Sequence, residues 1–284
     1  MKNIRNILFI LLIQGGLLSC TETNTVVNPG EKPIVEAYLA PGHPVSLKVF
    51  TEIPYAETSE GVSEPINGLS IKITGSSGKT FLLQAKGEGI YESKATELIE
   101  AAGSRYKMEF DYMGRTISAE TEIPEKPIGF TISTHEISRT QVNLSSGGFP
   151  GGGGGGFGGI NNTPIELSWS NPENLYHFIA VENTETSPEQ IIIPPTGSSF
   201  PTMRFRFTNE PLLGTHNNIQ PQSLEYFGNY DVILYRINPD YSALYQSSGT
   251  TTQNLSTPPS SITNGLGIFT GINADTLKLV VKKN

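Results

Sequence analysis

Apolar and polar residues alternate with a period of two along much of this chain. Val45, Leu47 and Val49 are separated by Ser46 and Lys48, and Leu69, Ile71 and Ile73 by Ser70 and Lys72. Tyr106, Met108, Phe110 and Tyr112 alternate with Lys107, Glu109 and Asp111, and Ile117, Ala119, Thr121 and Ile123 with Ser118, Glu120 and Glu122. A period of two places the apolar side chains of a strand on one face and the polar ones on the other, so each stretch predicts a half-buried β-strand. Residues 34–39 predict another strand, turned by Pro41-Gly42, and Tyr91 lies in one more. Gly75-Ser76-Ser77-Gly78 and Met113-Gly114 predict hairpin turns, because glycine supplies positive φ at no steric cost. Roughly seven short strands before Pro124 point to a β-sandwich.

Pro124-Glu125-Lys126-Pro127 predicts a domain boundary, since two prolines this close stop a sheet. A second set of strands follows. Residues 165–169 alternate into Trp169, the only tryptophan, and lead through Asn171-Pro172 to the apolar residues 176–181. This stretch resembles the B–C hairpin of fibronectin type III domains. Met203, Phe205 and Phe207 alternate with two arginines, residues 230–236 form the strongest strand of this half, and Leu277, Leu279 and Val281 close it. No helical pattern of any length is visible; residues 96–102 allow a turn or two. The expected architecture is all-β, with two antiparallel β-sandwich domains. The first, 34–124, is immunoglobulin-like or transthyretin-like, and the second, 125–284, fibronectin type III-like. Residues 147–159 hold ten glycines in thirteen positions, together with Phe149 and Phe157. Glycine loses the most entropy on ordering, so this run predicts a loop without regular structure. Its two phenylalanines are candidate partner contacts.

The first twenty residues have a different grammar. Lys2 and Arg5 precede an apolar run at residues 7–13, broken by Gln14-Gly15-Gly16 before the only cysteine, Cys20. The run falls short of the ~20 residues a membrane span needs and has the layout of a secretory signal. Leu17-Leu18-Ser19-Cys20 resembles a bacterial lipobox, which implies acylation of Cys20. Residues 1–19 are then a lipoprotein signal peptide and 20–33 a flexible tether. Each buried acyl methylene contributes ~0.8 kcal/mol, so several chains hold a soluble domain firmly at a membrane. Loss of Lys2 and Arg5 leaves 17 basic against 27 acidic side chains, a net charge of −10. Such a balance argues against a nucleic-acid partner, which needs basic patches.

Motifs with catalytic or cofactor-binding chemistry fail on spacing. Gly75-Ser76-Ser77-Gly78-Lys79-Thr80 lacks the first glycine of a phosphate loop, with Ile73 in its place, and precedes a strand rather than a helix. Gly265, Gly267 and Gly271 miss the dinucleotide-binding spacing. His43, His135, His177 and His216 stand apart in sequence without metal-ligand spacing and are expected on loops or the surface. Glu97 and Glu100 are expected to be solvated, and Trp169 to be a core residue rather than a sugar platform. No catalytic residue, metal or cofactor is expected. Asp275-Thr276-Leu277 resembles the short sites at which Bacteroidota O-glycosylate exported proteins, with Thr276 as acceptor.

Several stretches together resemble the Bacteroidota lipoproteins grouped as a family of unknown function (domain of unknown function 4249). They are Cys20, residues 34–42, residues 65–71, Gly89-Ile90-Tyr91, residues 105–108, Glu122-Ile123-Pro124, and above all residues 262–271, Ile-Thr-Asn-Gly-Leu-Gly-Ile-Phe-Thr-Gly. The glycine run departs from the family pattern. The resemblance implies an outer-membrane lipoprotein whose partner is a TonB-dependent transporter, a β-barrel, for which it serves as an accessory or ligand-capture subunit. A free surface adhesin or glycan-binding lipoprotein is the alternative. The side of the outer membrane is left open.

Overall fold

The computed structural model describes residues 32–52, 63–144, 163–194, 206–248 and 260–284. Cys20, the leader and most of the tether, and the glycine run with Phe149 and Phe157 lie outside the described residues.

The first half contributes β1 (Pro33–Leu39), β2 (Ser46–Thr51), β3 (Lys72–Gly75), β4 (Thr80–Leu82), β5 (Gln84–Gly87), β6 (Ile90–Glu92), β7 (Arg105–Tyr112) and β8 (Arg115–Glu122). The second contributes β9 (Ile128–Ile132), β10 (Glu136–Arg139), β11 (Val142–Asn143), β12 (Ile165–Ser170), β13 (Tyr176–Asn183), β14 (Ile192–Ile193), β15 (Arg206–Thr208), β16 (His216–Ile219) and β17 (Gly228–Ile237). A helix, α1 (Pro239–Ser248), follows, and then β18 (Leu266–Lys283). The all-β sandwich architecture is as expected.

The alternation of the sequence becomes burial. Val35, Ala37 and Leu39 of β1 point inward while Glu36 and Tyr38 point out. One core packs Val35, Val49, Tyr91 and Phe269 against Ile73, Phe81, Met108 and Ile117. The other packs Ile179, Val181, Val232, Leu234 and Leu279 against Phe130, Leu167, Trp169 and Ile219. Each fully buried Leu, Ile, Val or Phe contributes about 1.5–3 kcal/mol by leaving water, so these two clusters dominate the stability.

β18 departs from expectation. It is not a short closing strand but eighteen residues long, and it belongs to both sandwiches. Its front, from Leu266 to Gly271, pairs in parallel with β1, and Ile262 and Phe269 complete the first core. Its rear pairs antiparallel with β17 from Ile272 to Val281, and β10 lies parallel along its end. One sheet therefore runs through the molecule in the order β15-β13-β17-β18-β1-β2-β6-β5. The first sandwich covers it with β4-β3-β7-β8, the second with β16-β12-β9.

Glycine allows this passage. A Cβ on Gly267 would lie 2.0 Å from the Val35 carbonyl oxygen, and one on Gly271 would lie 2.3 Å from that of Glu122. Gly267 also has φ of +98°, which disfavours any side chain.

Three further expectations are corrected. The strands are not all antiparallel, because β1–β18, β10–β18 and β11–β14 are parallel pairs. β12 and β13 form no hairpin: they lie in opposite sheets, so residues 171–175 cross the sandwich instead of folding back. Finally, α1 is a helix where none was predicted. Its N-terminal signals are present in Asn238-Pro239-Asp240, with proline at the first helical turn and an acid near the helix N-terminus.

Candidate functional site

The two sandwiches meet where β18 passes between them, and polar groups lock the crossing. The Gly271 amide donates to Thr121 Oγ1 at 2.8 Å, Asn238 Nδ2 to the Glu122 carbonyl at 2.9 Å, and Asn273 Nδ2 to the Pro124 carbonyl at 2.9 Å. Thr270, fully buried, donates through Oγ1 to Asp240 Oδ1 at 2.9 Å, and the Tyr241 amide donates to the same oxygen at 2.9 Å. Burial raises the Asp240 pKa, and these hydrogen bonds partly offset the shift.

Against this crossing stands an array of aromatic rings on the outward face of the through-running sheet. Phe178 of β13 stacks on its cross-strand neighbour Tyr235 with centroids 4.6 Å apart, and on Tyr241 of α1 at 5.7 Å. Tyr38 of β1 meets Tyr241 edge-on at 5.7 Å. Tyr245 lies one helical turn beyond Tyr241 on the same side of α1. Tyr38 and Tyr245 are the open members, 38% and 42% exposed. The inner rings cover one another's faces, so the array offers ring edges and hydroxyls rather than flat platforms. Burial, then the neighbouring Glu36 carboxylate, raises the Tyr38 pKa, so the hydroxyl stays protonated in ordinary buffers.

The two larger of the grooves described lie elsewhere. One of about 620 Å³ follows the outer face of β3, β7 and β8. Its charges largely cancel, Arg105 pairing with Glu122 at 2.8 Å and Lys107 with Glu109 at 2.8 Å. The other, about 460 Å³, runs over β9, β12 and β16 and is lined by Thr131, Ser133, Glu166, Ser168, His216 and Asn218.

The structure scatters the sequence candidates. Thr276 is exposed on the outward face of β18, its amide donating to Asp275 Oδ1 at 2.9 Å. Trp169 is 5% exposed and sits in the second core. His43, His135 and His216 are exposed, but His177 is buried inside the second sandwich. Burial lowers its pKa and Nδ1 lies 3.0 Å from the Leu175 carbonyl, so a neutral ring donates there. Glu97 is not fully solvated either: one carboxylate oxygen faces Lys94 at 3.4 Å while the other is buried without a partner. No group of three or more His, Cys, Asp or Glu side chains among the described residues could hold a metal. Among the described residues no helix is long and apolar enough to cross a membrane. The aromatic array escaped sequence analysis because its members come from four elements. Only Tyr38, outward on a strand where charge or hydroxyl is usual, signalled it locally.

The molecule is thus an all-β protein of two sandwiches sharing one strand, with a tyrosine-rich face at their junction. It belongs to the family described as domain of unknown function (DUF4249), whose model matches residues 21–278. No curated protein matches the chain. Among solved structures, a DUF4785 family protein from Legionella pneumophila is 13% identical, with a TM-score of 0.21 over 72% of this chain and 51% of that one. The chain spans about half the length of that protein. Titin domains A168–A170 are 10% identical over 89% of this chain and 66% of theirs, with a TM-score of 0.21.

Proposed function

We propose that this protein is a lipid-anchored, non-enzymatic outer-membrane subunit that helps a TonB-dependent transporter capture its ligand. The observation that carries this reading is the parallel pair β11–β14. Val142 lies beside Ile192 and Asn143 beside Ile193, so the chain leaves the described fold at two adjacent points at one end of the second sandwich. Beyond the first of these points come Phe149 and Phe157, the candidate partner contacts. Apolar side chains gain buried area when a partner receives them. The second sandwich supplies a base next to those two points.

We read the second half as fibronectin type III-like. Three strands face four, and Tyr230, near the start of β17, donates its hydroxyl back to the Tyr226 carbonyl at 2.8 Å, in the manner of a tyrosine corner. The test is gentle extraction of the native membrane followed by copurification. A large β-barrel should accompany the unaltered protein and be depleted at least several-fold by deletion of 147–159 or by Phe149→Ala with Phe157→Ala. Recovery of the monomer alone at native expression defeats the subunit reading.

A glycan-binding lipoprotein is favoured by one observation, the hydroxyl- and amide-lined groove over β9, β12 and β16, whose donors and acceptors suit sugar hydroxyls. Binding to immobilised glycans that is lost with Asn218→Ala and His216→Ala would select it.

A further inference from the structure

The aromatic array lies on the outward face of the sheet common to both sandwiches. Tyrosine rings are apolar in body and polar at the tip, which suits them to the boundary between lipid headgroups and acyl chains. Charges flanking the array on the same face are paired: Glu182 lies 4.0 Å from Arg206, and Asp231 lies 2.5 Å from Lys278. Glu36 of β1 is set opposite Lys48 of β2. This rim is close to neutral although the chain as a whole is acidic.

The position along the chain matters as much. Tyr38 stands five residues after Pro33, roughly 17 Å along β1. Cys20 precedes Pro33 by thirteen residues, a reach of about 43 Å when extended. An anchor at Cys20 therefore keeps the array within reach of the bilayer at high local concentration, where modest affinity is enough.

We propose that Tyr38, Phe178, Tyr235, Tyr241 and Tyr245 form a membrane-contact face that lays the body along the zwitterionic surface of the bilayer holding its lipid anchor. The proposal rests on the anchored reading of Cys20. It also orients one end of the second sandwich: the Gln190–Tyr226 bridge lies two residues before β14 and two before β17, whose first residue, Gly228, is seven residues or about 23 Å along the strand from Tyr235. A body lying on the array would direct that end sideways along the membrane. Thr276 shares the outward face, one row from Tyr235, so a glycan there would hold the face off the bilayer.

The experiment uses the mature chain with Cys20→Ser, so that partitioning into phosphatidylcholine vesicles reports the array and not acyl chains. Cosedimentation should show binding that added salt does not weaken. Tyr38→Ser with Tyr245→Ser should lower the partition coefficient roughly tenfold or more, through loss of buried apolar area. Tyr38→Phe with Tyr245→Phe should retain it. Tyr245→Ser alone, on the helix and outside the sheet, repeats the test if the double variant melts early. The same partition coefficient for the unsubstituted chain and the serine variant overturns the proposal, as does no binding at millimolar lipid. Two further outcomes also overturn it: a dimer that the serine pair converts to monomer, or loss of a copurifying barrel with vesicle binding unchanged. Labelled palmitate incorporation scores the anchor separately. Vesicle binding without palmitate would sink the anchor while leaving the face.

Discussion

The two sandwiches differ in what each needs to be complete. The second core draws its residues from one continuous span, from Phe130 to Val281. The first takes nineteen of its buried members from residues 35–123 and two, Ile262 and Phe269, from across the chain. β1 has β2 on one side and the front of β18 on the other, so without β18 it becomes an open edge beside a core missing Phe269. The first core thus borrows residues from beyond Pro124, while the second borrows none from before it.

That asymmetry can be broken most severely by cutting the chain. Residues 32–124 alone should show no cooperative urea transition by circular dichroism, whereas residues 125–284 should retain one. Cooperative unfolding of the first fragment would make it an independent domain. Next in size is Gly267→Val, which forces a side chain into the Val35 carbonyl from a positive-φ position and should cost at least about 4 kcal/mol. Urea midpoints of the full chain measure it, and a loss below about 1 kcal/mol would mean that β1 and β18 can separate cheaply.

Phe269→Ala should then cost about 3–5 kcal/mol and Leu279→Ala about 2–5 kcal/mol, one in each core. Because β18 splices the cores, both substitutions should shift a single calorimetric transition. Two transitions, each moved by only one substitution, would restore the picture of independent domains.

The smallest effect is that of pH. His177 has a lowered folded pKa through burial, so the unfolded chain binds its proton more readily. Its contribution is intact above the unfolded value near 6.5 and declines as pH falls from there toward the folded value. Asp240 has a raised pKa and works in the opposite sense, its burial penalty easing as pH falls through its folded value. His177→Phe should therefore flatten the stability profile just below pH 6.5, and an unchanged slope there would exclude His177 as its source.

Most strands were legible because each half-buried strand writes its own face in alternating residues, as β7 and β8 do. The turns at Gly75–Gly78 and at Met113-Gly114 were legible for the same local reason: Gly78, Met113 and Gly114 take up the positive φ that tight turns need. What escaped depends on distant partners. Residues 266–271 lack alternation because both faces of the crossing are covered, with Ile268, Phe269, Thr270 and Gly271 all buried. Their glycines looked like a failed nucleotide motif, when they serve the close approach of Val35 and Glu122. His177 was misjudged because burial was read from residue type, whereas its position on the inward row of β13 decides it. The aromatic array joins β1, β13, β17 and α1 over about two hundred residues, a separation no local pattern records.

The parallel pairing of β1 with β18 also sets an order of events. Ile34 pairs with Leu266, 232 residues later, so the first of the described strands to be synthesised waits for the last. Closing a loop of that length rather than one of about ten residues adds roughly 2.8 kcal/mol of chain entropy, at ~0.6 kcal/mol per doubling. Contacts this remote slow folding and leave hydrogen-bonding edges open in the meantime. While the tail is still being synthesised, β1 can pair with β2 alone, and its other edge is a template for any passing strand. The nascent chain is therefore most exposed to misassembly before residues 262–271 arrive, and their arrival is what finishes the first half of the molecule.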